Sequence, residues 1–159
     1  MTSTAATESA SSAPCARLDG VSKLFGTFAA LRQVTAELEL GRCYVLIGEN
    51  GAGKSTLLRI LAGLLRPTHG TVSVFGNNEP HQVRERIGYM SHAPMLYDEL
   101  TGQENLRYFA SLYPDRECLE PAETLRQVGL NPDLERPLGK YSQGMRQRTS
   151  LARAFAPCR

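Results

Sequence analysis

An unbroken apolar run, Cys43-Tyr44-Val45-Leu46-Ile47, leads directly into Gly48-Glu49-Asn50-Gly51-Ala52-Gly53-Lys54-Ser55. Beyond it, the leucines at 57, 58, 61, 64 and 65 fall at helical spacing. A strand buried on both faces, a glycine-rich turn and a helix is the order in which a phosphate-binding loop is built. Glycines at 48, 51 and 53 allow backbone angles that bring successive N–H groups onto one anion. The helix opening near Lys54 aims its positive dipole end at the same point. Lys54 adds a full charge for the outer phosphates, the Ser55 hydroxyl suits Mg²⁺, and Thr56 offers a second hydroxyl to an inner phosphate. A plain glycine-rich turn would not require a lysine beside a hydroxyl at a helix start. The chain is therefore expected to hold a nucleoside triphosphate.

Two other stretches carry strand patterning. Val34 to Leu40 alternates apolar and polar residues, and so does Thr71-Val72-Ser73-Val74 after the turn at Pro67-Thr68-His69-Gly70. Further on the period becomes helical. Thr101-Gly102-Gln103-Glu104 is a capping box, and Leu106, Phe109, Ala110 and Tyr113 form an apolar stripe behind it. A second helix is expected from Glu117 to Val128, with Leu119, Ala122, Leu125 and Val128 inward, stopped by Gly129 and Pro132. A third begins after Ser142, a good N-cap, with Met145, Leu151, Ala152 and Phe155 on one side.

Tyr141-Ser142-Gln143-Gly144-Met145-Arg146-Gln147-Arg148 resembles the signature sequence of ATP-binding-cassette (ABC) ATPases, usually written L-S-G-G-Q. Ser142 and Gly144 stand at matching positions, while Gln143 and Met145 depart from the pattern. The resemblance covers the chain from about Arg17 and implies an α/β fold. Its parts would be a P-loop NTPase core of parallel sheet and helices, an antiparallel β layer, and a helical subdomain at about 92–141. It also implies roles. Phe25 matches the aromatic that stacks on adenine, although an ordinary packed aromatic would look the same in sequence. His92 stands where the family usually has a glutamine that touches Mg²⁺ and the attacking water; a capping or surface histidine is the competing reading. The run His92 to Thr101, followed by Glu104-Asn105-Leu106, resembles the ATP-binding subunit of haem exporters in cytochrome c maturation.

By the same resemblance, ATP and Mg²⁺ are the cofactors and a membrane subunit is the partner. A second ATP-binding subunit would pair head to tail, each phosphate loop facing the Ser142 helix end of the other. That places the protein on the cytoplasmic face of the membrane through its partner. The family's strand ending in Asp-Glu is expected downstream of the signature helix. No Asp or Glu follows Glu135, so the chain reads as C-terminally incomplete, better at holding nucleotide than splitting it. Two other readings stand beside this one: a non-catalytic nucleotide-binding module, and a soluble P-loop kinase or GTPase-like switch. No guanine-reading N-K-x-D motif is present for the latter.

Composition excludes more than it assigns. The net charge of +2 gives no nucleic-acid-binding character, although Arg136, Lys140, Arg146, Arg148, Arg153 and Arg159 cluster in the acid-free stretch. Residues 1–16, rich in Ser, Thr and Ala, read as a disordered extension, with the nucleotide-binding domain over 17–159. The four cysteines, at 15, 43, 118 and 158, show no metal-binding spacing and are expected as reduced thiols.

Overall fold

A computed structural model describes residues 14–91, 93, 95–113 and 118–155. They divide into two compact units, with the boundary between Arg84 and Glu85.

The first unit is built on an antiparallel sheet in the order β2-β1-β3, formed by β1 (Ala16–Phe25), β2 (Phe28–Leu38) and β3 (His69–Val74). The strands expected at Val34 to Leu40 and Thr71 to Val74 are β2 and β3. β2 starts earlier than its alternation suggests, because the Gly26-Thr27 turn folds it onto β1 from the Phe25–Phe28 pair onward. The period of β1 is hard to read in sequence, since the register shifts between Leu18 and Leu24. α1 (Lys54–Leu61) lays Ile60 into a core with Leu18, Val21, Leu31 and Val72, and Leu57, Leu61 and Leu65 pack partly against it. Leu58 and Leu64, expected on the same stripe, are about half exposed. Ile60 is the residue that anchors the helix, a burial worth roughly 1.5–3 kcal/mol.

One expectation is overturned here. Cys43 to Ile47 has no ladder pairing among the described residues, and Val45 and Ile47 are 78% and 87% exposed. A run of strand-forming residues becomes a buried strand only when neighbours supply hydrogen bonds and cover both faces. The described sheet is wholly antiparallel and lies elsewhere. Ile87 to Ser91, just ahead of His92, likewise has no ladder pairing among the described residues.

The second unit packs three helices, α2 (Gly102–Ser111), α3 (Pro121–Gln127) and α4 (Gln143–Phe155). Leu106, Leu125, Leu130 and Ala152 form its core, with Val128 and Met145 against it. The capping box is realised in full: Glu104 N–H donates to Thr101 Oγ1 at 3.3 Å, and Thr101 N–H donates to Glu104 Oε2 at 2.8 Å. Gly129 ends α3 with φ +70°, its N–H on Arg126 O and that of Leu130 on Leu125 O. Three residues expected inside are outside: Leu119, Tyr113 and Phe155 are 42%, 39% and 60% exposed. Thr124, Thr149 and Ser150 are buried in their place on α3 and α4. The Thr124 and Thr149 hydroxyls donate to carbonyls one turn back, Glu120 O and Met145 O, and so enter the interior satisfied. Glu117, the expected start of the second helix, lies outside the described residues. Cys15 and Cys43 are free thiols, but Cys118 is disulfide-bonded, which corrects the expectation drawn from spacing alone.

Candidate nucleotide-binding site

The phosphate loop takes its shape from two glycines in the left-handed region, Gly51 at φ +87° and Gly53 at φ +83°. Ala52 N–H turns back onto Glu49 O at 3.2 Å between them. Gly53 is the N-cap of α1, and no side chain caps that helix. Its first-turn N–H groups are therefore left to face an incoming anion. Gly53 also has no room for a side chain: a Cβ there would lie 2.3 Å from Ala30 O and 2.8 Å from Leu31 Cδ2. The loop is pressed onto β2, and this contact fixes where α1 starts.

Lys54 Nζ donates to Gly48 O at 2.7 Å and to Glu49 O at 2.6 Å, so the ammonium reaches back across the loop it follows. A phosphate entering the cradle would compete with two neutral carbonyls for a full positive charge, and a charged acceptor makes the stronger bond. Gly48, Glu49, Asn50, Gly51, Ala52 and Ser55 are exposed, and Thr56 is half-buried. Among the described residues no cluster of three or more His, Cys, Asp or Glu is placed to hold a metal. The exposed Ser55 hydroxyl at the helix start fits the metal contact expected of it, with phosphate oxygens supplying further ligands.

Phe25 ends β1 beside Phe28, and the two rings are 50% and 62% exposed. Lys23 Nζ sits 5.4 Å from the Phe25 ring centroid. Phe25 is thus not a packed core aromatic; it is half exposed at a hairpin tip. The hairpin's return strand also carries Ala30 and Leu31, against which Gly53 is pressed.

Ser142 and Gly144 belong to the second unit. Ser142 Oγ accepts from Met145 N–H at 3.3 Å and Ser142 O accepts from Arg146 N–H at 2.9 Å, the N-cap arrangement expected for α4. Ser142, Gln143 and Gly144 are exposed, with nothing within 4 Å of a Cβ built on Gly144. His92 lies outside the described residues. Several arginines of the basic cluster make their contacts inside this unit. Arg148 Nη1 donates to Gly129 O at 2.7 Å, and the Arg136 guanidinium lies 5.4 Å from the Tyr141 ring. Arg153 is 5.1 Å from the Phe109 ring, in surroundings whose desolvation lowers its pKa.

Sequence reasoning missed what supports the Ser142 tip. Asn105, fully buried, holds the loop ahead of α2: its Nδ2 donates to Tyr97 O, Leu100 O and Thr101 O, and its Oδ1 accepts from Tyr97 N–H. The signal was an asparagine beside Leu106 on the apolar side of a helix, a place where a polar residue needs a reason.

A family model described as ABC transporter matches residues 31–157, most of the chain. The chain belongs to the ABC transporter family. The ABC chain is 39% identical over 133 residues to the ABC transporter ATP-binding protein NatA of Bacillus subtilis (strain 168), covering 79% of this chain and 54% of that protein. It is 34% identical over 138 residues to the bacitracin transport ATP-binding protein BcrA of Bacillus licheniformis, covering 85% and 45%. With the fluoroquinolones export ATP-binding protein Rv2688c of Mycobacterium tuberculosis (strain ATCC 25618 / H37Rv) it shares 41% over 130 residues, covering 79% and 42%. The chain spans about half the length of these curated relatives. Among solved structures, the dimeric post-hydrolysis state of the ATP-binding cassette MJ0796 bound to ADP and Pi superposes with a TM-score of 0.78 at 26% identity, over 89% of this chain and 69% of that one. The fold is that of the ABC ATPases, P-loop NTPases with an antiparallel sheet and helices. No helix among the described residues is long and apolar enough to cross a membrane.

Proposed function

We propose that this chain is the nucleotide-holding part of an ABC transporter ATP-binding subunit, gripping Mg-ATP at residues 48–56. The carrying observation is the loop: left-handed Gly51 and Gly53, an uncapped α1 start, and Lys54 Nζ folded over two loop carbonyls. The exposed ring of Phe25 suits adenine stacking, and the open Ser142–Gly144 tip suits contact with nucleotide on a second, head-to-tail subunit. A dimeric relative bound to ADP and Pi supports that pairing. A membrane subunit would couple the cycle to export from the cytoplasmic face. The relatives named for bacitracin transport and fluoroquinolone export favour small exported compounds over the haem exporter that the His92 segment resembles.

Calorimetric titration with Mg-ATP tests the reading. Saturable, magnesium-dependent binding that weakens by roughly 2–3 kcal/mol in Lys54→Ala is expected, the scale of one charge-assisted contact. Affinity indifferent to magnesium or to Lys54 would overturn it.

A further inference from the structure

Arg146 is tied in two directions. Its backbone N–H holds Ser142 O at 2.9 Å, inside the exposed tip. Its guanidinium reaches away from the tip, with Nη2 2.6 Å from Asp98 Oδ1 and Nη1 donating to Leu138 O at 3.2 Å. Two backbone bonds run parallel to these: Leu138 N–H to Leu100 O at 2.8 Å, and Gly139 N–H to Asp98 O at 2.9 Å. A Cβ on Gly139 would stand 3.3 Å from Asp98 O, so the segments are in close contact. The loop at 97–101 is itself held by buried Asn105 on α2.

We propose that Asp98 and Arg146 form a latch that sets the position of the Ser142–Gly144 tip, and through it how the tip meets nucleotide on a second copy. The inference rests on the head-to-tail reading above. Arginine suits the role because its planar fork grips two acceptors at once, whereas a lysine ammonium would hold one acceptor without fixing direction. An isolated surface ion pair would add little stability. Here the pair closes a strut from α2 to the tip, and its effect is on placement. Asp98 and Arg146 are positioning residues; neither is assigned a contact with nucleotide.

The test compares Asp98→Asn, Arg146→Gln, Arg146→Lys and Thr101→Ala, the last loosening the same unit through its cap while leaving the latch intact. Mg-ATP affinity of the single chain and ATP-dependent self-association by sedimentation are measured for each. The latch requires unchanged single-chain affinity in all four, and association weakened roughly tenfold in Asp98→Asn and Arg146→Gln, on the scale of one charge-assisted bond. Arg146→Lys should recover part of the loss, and Thr101→Ala should associate as wild type. Association in Asp98→Asn equal to wild type, or equal losses in Thr101→Ala, overturns the latch. Loss of Lys54-dependent binding in the wild type instead overturns the nucleotide reading. If the wild type binds Mg-ATP but stays monomeric, amide exchange decides: faster exchange at Met145 and Arg146 in Asp98→Asn supports the latch, and unchanged rates overturn it.

Discussion

Gly51 and Gly53 share almost the same backbone angle, +87° and +83°, but differ in surroundings. Nothing lies within 4 Å of a Cβ built on Gly51, whereas one on Gly53 would stand 2.3 Å from Ala30 O, a backbone atom that moves only if β2 moves. Gly51→Ala should therefore cost only the left-handed strain of an L-residue, about 1–2 kcal/mol. Gly53→Ala adds the clash, and overpacking of this kind costs about 1–3 kcal/mol more, for a total of roughly 2–5 kcal/mol. Since the strain is common to both, their difference isolates the contact between loop and strand. Urea unfolding followed by far-ultraviolet circular dichroism reads it: with a slope of about 1–3 kcal/mol per M, Gly53→Ala should unfold roughly 1 M below Gly51→Ala. Coincident midpoints would refute the claim that β2 fixes the start of α1.

The remaining predictions concern the second unit. The carboxyl of Glu104 is held below its ordinary pKa, chiefly by the Thr101 backbone N–H and next by the Thr101 side chain. A depressed folded value means that its contribution is full above the ordinary carboxylate range and is lost as pH falls through the folded value. Glu104→Gln should accordingly flatten the acid limb of a melting-temperature profile; an unaltered limb contradicts the assignment. Thr101→Ala should cost about 1 kcal/mol at neutral pH by removing the N-cap oxygen, measured by the same urea titration. Asn105→Leu strips the four side-chain bonds that hold the 97–101 loop and takes the amide acceptor from Tyr97 N–H, a loss of about 1–3 kcal/mol. Amide exchange at Tyr97 should rise with it, and an unchanged rate there would show that the loop is held by something else.

Much of the site could be read from the residues because its devices are short in sequence. Lys54 lies six residues from Gly48, and both partners of its ammonium are in the loop. The Thr101–Glu104 box, the Gly129 stop and the Ser142 cap each act within one turn of chain, so spacing alone encodes them. The misses have the opposite character. Phe155, Leu119 and Tyr113 fit a helical stripe, yet among the described residues they stay 60%, 42% and 39% exposed, while Thr124, Thr149 and Ser150 are buried. The arginines after Glu135 read as a basic cluster, but Arg146, Arg148 and Arg153 are bound to Asp98, Gly129 and the Phe109 ring respectively.

Sequence by itself determined where α1, α2 and α4 begin, since caps and left-handed glycines act over a few bonds. Tertiary structure alone decided that Cys43 to Ile47 stands exposed, that Gly53 is wedged against Ala30, and that Asp98 meets Arg146. Burial and ion pairing are properties of what arrives from elsewhere in space, and no local pattern of residues carries that information.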